Sequence, residues 1–204
     1  MMLEKMSFKE KLEIINEIFF DQHKHLIEKN EMICIENKLQ IVIPEAIREF
    51  YLMFGSDLAL LKCMYNIASP NELCIVDGIL IIAKEYQNVC SYWMDIYTQK
   101  VIYLDESNHV VKNIELDIED FLIYLLAVQG TEFFSCIGKV NKKFIDRFEK
   151  YLLRVSKVNG EGAVYCGKDR MICVVTEENI FLSAKSDDIM EKFEMQSELE
   201  IDYL

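Results

Sequence analysis

The segment from Glu36 to Gly55, ENKLQIVIPEAIREFYLMFG, constrains the fold more than any other part of the chain. Pro44 is tolerated in the first turn of a helix because the N–H that it lacks has no partner there, and Glu45 follows where the helix dipole favours an anion. Gly55 is a typical helix stop. The residues between these ends include an apolar set at spacings of three and four, made up of Ile43, Ile47, Phe50, Tyr51 and Phe54. The pattern predicts a helix that is buried on one side.

The balance of charges limits the partners that the chain can bind. Its 204 residues include 35 acidic and 22 basic side chains, which is a formal net charge of -13. That charge argues against a phosphate-binding surface and leaves two explanations open: it only keeps the protein soluble, or it attracts a basic partner. We therefore expect no direct binding of nucleic acid.

The cysteines and the apolar segments indicate a compartment. Seven cysteines without a C-x-x-C pair are typical of a reducing cytosol, where thiols stay unpaired. The N-terminus has no apolar signal-peptide region, and no segment approaches the roughly 18 apolar residues of a membrane span. We expect a cytoplasmic protein that does not enter a membrane.

Local signals predict helices and strands in the first 130 residues. The capping box S-x-x-E at Ser7 begins a helix that runs to about His25. An Asp-Gly pair at Asp77 is a turn signal between two strands, and an antiparallel meander follows. The predicted elements after the turn-rich Ser69 loop are strands Leu73–Val76, Ile79–Ala83, Val89–Ile96 and Lys100–Leu104, and a helix capped by Asp117 that continues to about Val128.

The remaining residues alternate helical and strand-like signals. Asn141 is predicted to cap a helix that ends before Asn159-Gly160, with an apolar stripe of Phe144, Phe148, Tyr151, Leu152 and Val155. Short strands joined by hairpin connections follow, and a last helix begins after Ser186. The predicted strands are Val164–Cys166, Met171–Thr176 and Ile180–Ala184. No linker or repeat interrupts the chain, so we expect one domain over residues 1–204.

Motifs that would carry catalysis are weak. The segment GAVYCGK, which begins at Gly162, has the spacing of a phosphate-binding loop, but Asp169 replaces the required hydroxyl residue and the intervening residues are strand-like. His23 and His25 are two apart, so on a helix they point to different faces and cannot clamp one metal ion. His109 lies in a polar loop without a nucleophile motif. We expect no catalytic residue, no metal site and no cofactor.

Two charged segments each have two explanations. On a helix, Lys143, Arg147, Lys150 and Arg154 would form one basic stripe, which is either a solvated face or a docking surface for an acidic partner. The segment from Ser186 to Leu204 carries seven acidic residues against one basic residue. Its last part, an acidic tail over residues 196–204, either steers a cationic partner or stays mobile.

Three blocks of sequence resemble one family in their order and spacing. The first is ExxLxIxIPEAIREFY from Glu36, the second is IIAKEYQNVCSYWMDI from Ile81, and the third is IELDIEDFLIYLL from Ile114. Together they resemble the SUKH superfamily, which includes yeast cell-wall-assembly regulators and many bacterial immunity proteins. The matching residues of the first block are Glu36, Leu39, Ile41, Ile43, Pro44, Ile47, Phe50, Tyr51 and Gly55. One departure is the loop at Thr98, which lacks the family's Asp-Pro.

The resemblance implies a fold and a function. It implies an α+β fold with a central antiparallel or mixed sheet flanked by helices, a family core over residues 7–130, and a helix-plus-hairpin extension over residues 131–195. In bacteria it implies a non-catalytic immunity protein that masks a toxin domain. An acidic inhibitor suits a basic nuclease toxin, because the nucleic-acid groove would meet complementary charge. The alternatives are a regulatory scaffold unrelated to toxins and an enzyme with an unrecognised pocket.

The expected binding surface lies around one turn and one strand. The predicted partner-binding residues are Glu85, Gln87, Asn88, Trp93, Asp105 and Glu106. Tyr92 and Trp93 are adjacent on a strand, so only one of them can face the partner while the other enters the core. Glu85, Gln87 and Asn88 can equally be ordinary turn residues.

Overall fold

The computed structural model of the chain describes residues 6–20, 26–105, 110–148, 150–158, 162–167, 170–176 and 179–204. It confirms the predicted α+β class, since helices accompany sheets whose described strand pairs are all antiparallel. The helices are α1 Phe8–Phe20, α2 Lys29–Leu39, α3 Glu45–Phe54, α4 Leu58–Leu61, α5 Ile118–Thr131, α6 Ile145–Phe148 and α7 Asp187–Ser197. Among the described residues, no helix is long and apolar enough to cross a membrane.

The strands form two sheets. The first sheet contains β1 Tyr65–Ile67, β2 Ile75–Val76, β3 Ile79–Glu85, β4 Cys90–Asp95, β5 Lys100–Asp105 and β6 Val110–Asp117. Its order is β1-β3-β4-β5-β6, and β2 also pairs with β3. The second sheet contains β7 Cys136–Asn141, β8 Leu153–Val158, β9 Gly162–Gly167, β10 Met171–Val175, β11 Asn179–Ala184 and β12 Asp202–Tyr203. Its order is β12-β7-β11-β10-β9-β8.

The chain divides into two compact units, each with one of these sheets. The first unit is residues 24–122, and the second unit combines residues 1–23 with residues 123–204. The sequence predicts one domain with its core at residues 7–130, whereas this division groups α1 with the C-terminal strands. The extension after residue 130 is also larger than a helix plus a hairpin, because its strands build a six-stranded sheet of their own.

In the first unit, α3 begins and ends where the sequence predicts. Pro44 is the N-cap, and the N–H of Gly55 donates to Tyr51 O at 2.8 Å. The predicted apolar stripe is buried, and the rings of Phe50 and Phe54 lie 5.9 Å apart. A Cβ at Gly55 would lie 2.6 Å from the backbone oxygen of Tyr51 and 2.4 Å from Ile27 Cδ1, so only glycine fits there. The helix α2, which precedes α3, was not predicted.

The core of the second unit lies on one face of the second sheet. The buried cluster there joins side chains of the strands to Phe148 of α6 and to Met190 and Phe193 of α7. The rings of Phe148 and Phe193 are 5.5 Å apart. Residues of the opposite face of this sheet are buried as well, namely Val164, Cys166, Ile172 and Val174. A central strand that is buried on both faces has an uninterrupted apolar sequence, and β10, with the sequence MICVV, is such a strand.

The long helix predicted after Asn141 is wrong. A 3-10 turn over Lys142–Phe144 leads into α6, which ends at Phe148, and β8 begins at Leu153 and pairs with β9. Leu152 and Val155 are buried, but not on a helical stripe: Leu152 lies between α6 and β8 and belongs to the core cluster, and Val155 lies on β8. The four basic residues therefore do not lie along one helix, since Arg154 belongs to β8. Over so short a segment, apolar residues spaced three to four apart are compatible with a helix and with a strand, and pairing with β9 selects the strand.

The C-terminal segment is ordered, so the mobile alternative for the acidic tail is wrong. Residues Asp187–Ser197 form α7 as predicted, and β12 pairs with β7. Leu199 and Ile201 are buried in the same cluster as Phe193. Backbone hydrogen bonding continues to the last residue, where Leu204 N donates to Ile137 O at 2.9 Å.

Candidate protein-binding surface

The register of the first sheet shows which of the predicted residues share a face. Directly opposed residues of an antiparallel pair point to the same face, and so do alternate residues of one strand. Tyr92 of β4 is opposite Tyr103 of β5, and Cys90 is opposite Asp105. These four side chains therefore share one face of the sheet.

Glu85 and Tyr65 join them on that face. The two residues are opposite each other in the pairing of β1 with β3. The rings of Tyr65 and Tyr92 lie 5.8 Å apart in a T-shaped arrangement, and the Glu85 carboxylate lies close enough to Cys90 to raise the pKa of its thiol. We call this set the acidic tyrosine surface; its five members, all partly exposed, are Tyr65, Glu85, Tyr92, Tyr103 and Asp105.

The tyrosines of this surface are supported from below by the core. Tyr92 contacts Tyr103 at 5.6 Å between ring centroids and Phe121 of α5 at 4.9 Å. Phe121 itself is buried. Further along the same face, Leu80, Met94 and Val101 are fully buried. The tyrosine rings are thus held by packing rather than free to rotate, which lowers the entropy cost of binding through them.

Cys90 lies among these groups and stays a neutral thiol. Burial raises its pKa, and the nearby carboxylates of Glu85 and Asp105 act in the same direction, while hydrogen bonds with Tyr103 and Tyr92 act against them. Burial also raises the pKa of Tyr103, with contributions from Cys90 and Asp105. A neutral thiol beside neutral phenols is a poor nucleophile. The tyrosine rings and the two carboxylates are the groups of this surface that can contact a partner.

The backbone of the turn between β3 and β4 donates hydrogen bonds to the carboxylate of Glu85. Oε2 of Glu85 accepts hydrogen bonds from Gln87 N at 2.9 Å and from Val89 N at 3.3 Å. Asn88 N donates to Glu85 O at 2.9 Å, and Asn88 has φ of 57°. Asparagine is one of the few residues that tolerate this left-handed conformation. Glu85 therefore acts as a turn residue and also places negative charge on the acidic tyrosine surface.

Trp93 lies on the face opposite the acidic tyrosine surface. It is directly across from Ile81 on one side and Ile102 on the other. Its side chain is partly buried, and within the described chain its indole nitrogen, which is buried, has no hydrogen-bond partner. The predicted site residues therefore do not form one surface: Glu85 and Asp105 lie on one face and Trp93 on the other. Of the adjacent residues Tyr92 and Trp93, Tyr92 is the one on the same face as Glu85 and Asp105.

Other predicted features are placed as follows. Glu106 and His109 lie outside the described residues, as do His23 and His25. Gly162–Gly167 is strand β9, so the segment with phosphate-loop spacing is not a phosphate-binding loop. In the described part of the chain, no group of three or more His, Cys, Asp or Glu side chains is placed to hold a metal ion.

The sequence did not single out Tyr65 and Tyr103. Tyr65 lies on a three-residue strand that periodicity cannot detect, and it reaches Tyr92 only because β1 pairs with β3. Tyr103 was on a predicted strand, and its alternation with Asp105 would have placed both on one face. What the sequence lacked was the register between β4 and β5, which brings Tyr103 opposite Tyr92.

Comparison of the chain with protein-family models, with curated proteins and with solved structures gave no match. The resemblance to the SUKH superfamily therefore depends on the three sequence blocks alone. The structure places the first block on α2 and α3, and the second on β3 and β4.

Proposed function

We propose that this protein is a non-catalytic, cytoplasmic immunity protein that binds a toxin domain and masks its active site. The observation that supports the proposal most is the acidic tyrosine surface, with three packed tyrosines and two carboxylates on one face of an acidic protein. All seven cysteines are free, which agrees with a reducing compartment.

The chemistry of this surface favours a basic partner. A Lys or Arg side chain gains from a tyrosine face by about 0.5–2 kcal/mol and from a neighbouring carboxylate through a charge-assisted hydrogen bond. Tyrosine is also enriched among the residues that dominate binding energy at protein interfaces. The partner we propose is the basic groove of a nuclease toxin, which a negatively charged protein would cover in place of the nucleic acid.

The net charge of -13 contributes at longer range. Opposite charges steer two proteins together and raise the association rate, and added salt removes this advantage. We therefore expect binding that weakens as salt rises, mainly through slower association.

The experiment starts from the gene neighbourhood in the host. A toxin gene beside this one is expressed with and without the tagged chain, and survival of the cells is scored. The purified pair is then titrated by calorimetry with two variants of equal charge change. Asp105→Lys is expected to weaken binding at least tenfold, because it reverses a charge on the acidic tyrosine surface. Glu132→Lys, an exposed control in the second unit, is expected to change it less than twofold.

One outcome would contradict the immunity proposal, and another would contradict only the surface assigned to it. If cells that express the neighbouring toxin are not rescued, and a pull-down from the host returns a partner that is not a toxin, the regulatory scaffold is the better reading. If rescue occurs but Asp105→Lys and Glu132→Lys bind equally well, the protein is an immunity protein that uses another surface.

A further inference from the structure

Two adjoining clefts open on the second unit, and all of their lining residues belong to the C-terminal part of the chain. One has a volume of about 200 Å³ and the other about 310 Å³. They share Tyr151, which follows α6, and Gln196 near the end of α7. Because both residues line both spaces, we treat the two clefts as one groove with two compartments.

The smaller compartment is more apolar than polar. Leu152, Met171 and Phe193 belong to the buried core and line its floor. Tyr151 is 46% exposed and stands against Phe193 with ring centroids 6.2 Å apart. Gly167 keeps the floor open, since a Cβ there would lie 3.0 Å from Leu152 Cδ2. The compartment therefore offers apolar surface and an aromatic wall to one inserted side chain.

The larger compartment is lined by two cationic residues and one acidic residue, in a protein whose formal net charge is -13. Arg147 and Lys150 line it together with Ser197 and Glu198. Arg147 Nη1 donates to Glu198 O at 2.9 Å, and the guanidinium lies 5.4 Å from the centroid of Phe144. These contacts hold the guanidinium in place while the hydrogen bond uses one of its five N–H donors. The guanidinium of Arg147 and the ammonium of Lys150 line the same compartment, and both groups can bind carboxylates.

We propose that this groove is a docking site for an acidic segment of a partner protein, which inserts one bulky apolar side chain between Tyr151 and Leu152. Charge supports the choice of an acidic partner, because Arg147 and Lys150 outnumber the single acidic residue, Glu198, that lines the larger compartment. The division into two compartments supports the choice of a protein segment. One side chain of such a segment fits the compartment of about 200 Å³, while its acidic neighbours reach the charged compartment.

This second surface differs from the acidic tyrosine surface in the charge that it attracts. It neither requires the proposed immunity function nor follows from it. One surface accepts a basic partner and the other an acidic one, so the same protein can carry two different partners.

The test uses the whole 15N-labelled chain and short capped peptides as probes, with amide shifts recorded during titration. The probe EEFEE carries an apolar anchor among carboxylates. The controls are EEAEE, which lacks the anchor, KKFKK, which reverses the charge, and 3-phenylpropionate, which is a small carboxylate. We expect EEFEE to shift the amides of Tyr151, Leu152, Phe193 and Gln196, and to bind at least tenfold more tightly than any control.

Two variants separate specific docking from general attraction. Lys150→Glu is expected to weaken EEFEE about five- to tenfold, since it reverses an exposed charge at the groove. Lys29→Glu makes the same charge change on α2 and is expected to leave the affinity within twofold. Tyr151→Ala removes the aromatic wall and is expected to weaken EEFEE but not EEAEE.

Three results would overturn the proposal. The first is that EEFEE and KKFKK shift the groove amides equally, or that EEFEE shifts none of them up to its solubility limit. The second is binding of 3-phenylpropionate as tightly as EEFEE, which would make the groove a small-molecule site. The third is a change of the same amides on dilution without peptide, which would show that a second copy of the chain occupies the groove.

Discussion

Glu36 on α2 and Arg48 on α3 form an ion pair across the loop that joins the two helices. The same carboxylate oxygen, Oε1 of Glu36, accepts a hydrogen bond from Ile43 N at 2.9 Å. One partly buried carboxylate thus holds both the end of the loop and the first turns of α3. This relationship gives a physical role to the glutamate that begins the first SUKH-like block.

Removing that carboxylate is expected to destabilise the first unit. We expect Glu36→Ala to lower the free energy of unfolding by about 2–3 kcal/mol, because the buried N–H of Ile43 and the Arg48 guanidinium both lose a charged acceptor. Urea unfolding measures the change. Glu45→Gln is the control, since its pair with Arg48 is 3.9 Å long and its side chain is 76% exposed. It is expected to cost less than about 0.5 kcal/mol. Equal costs for the two variants would contradict this account.

The carboxylate of Glu72 predicts a stability loss in acid. A hydrogen bond from the Lys62 ammonium at 2.7 Å, and two from Ser69, lower its pKa from 4.5 to about 2. A group whose pKa is lower in the folded state stabilises the fold above the unfolded pKa and ceases to do so as it is protonated. Its contribution is therefore complete above about pH 4.5 and lost as the pH falls towards 2.

The size of this effect is limited by exposure. The Glu72 side chain is 54% exposed, so solvent screening reduces its contribution to about 1 kcal/mol. We expect Glu72→Gln to be less stable than the natural chain by this amount at pH 6 and nearly equal to it at pH 2.5, measured by urea unfolding. In a Lys62→Met background the difference at pH 6 is expected to shrink. A difference that does not change with pH would refute the assignment.

Glu194 is expected to hold the C-terminal segment onto the second sheet. Its Oε1 accepts from Ile201 N at 2.9 Å, and its Oε2 accepts from the Tyr203 hydroxyl at 3.3 Å. We expect Glu194→Ala to speed amide hydrogen exchange of residues 201–204 by about tenfold, because these bonds are worth about 1–2 kcal/mol together. Glu191→Ala on the same helix is the control, and unchanged exchange in both variants would show that β12 pairing alone holds the segment.

The cysteines are expected to react in two classes. Cys34 and Cys74 are exposed, whereas Cys136, Cys166 and Cys173 are buried. Burial raises the pKa of Cys136 to about 11 from 9.0, which by itself lowers its thiolate fraction by about a hundredfold near neutral pH. Alkylation of the native protein at pH 8, followed by mass spectrometry, is expected to label the exposed pair first. Uniform labelling in urea is the control; early labelling of the buried thiols would contradict the described packing.

Sequence signals were interpreted correctly where the interacting residues lie within one short segment. The capping box at Ser7 is present, with Ser7 N donating to Glu10 Oε2 at 2.7 Å and Glu10 N donating to Ser7 Oγ at 3.3 Å. The turn at Asp77-Gly78 has the positive φ values, 52° and 78°, that this pair favours in a tight hairpin. Each of these features depends on residues within a few positions of each other.

Features that join distant segments were missed or misplaced. The segment after Phe148 was predicted to continue a helix, but from Leu153 onward it forms β8, which pairs with β9. The predicted binding residues included Trp93 together with Glu85 and Asp105, and the register places Trp93 on the opposite face of the sheet from those two. The strands β1 and β7 gave no clear period of their own, since short strands are defined by their partners.

By itself, then, the sequence determined the ends of α3, the capping box and the sharp turns, because backbone preference and periodicity act within one segment, and the α+β class was implied by the resemblance of three sequence blocks to one family. The tertiary structure alone decided that two sheets form, which face each tyrosine occupies, that Glu36 meets Arg48, and that Arg147 and Lys150 line one groove. Those outcomes depend on strand register and on packing between residues far apart in the chain, and neither leaves a local signal.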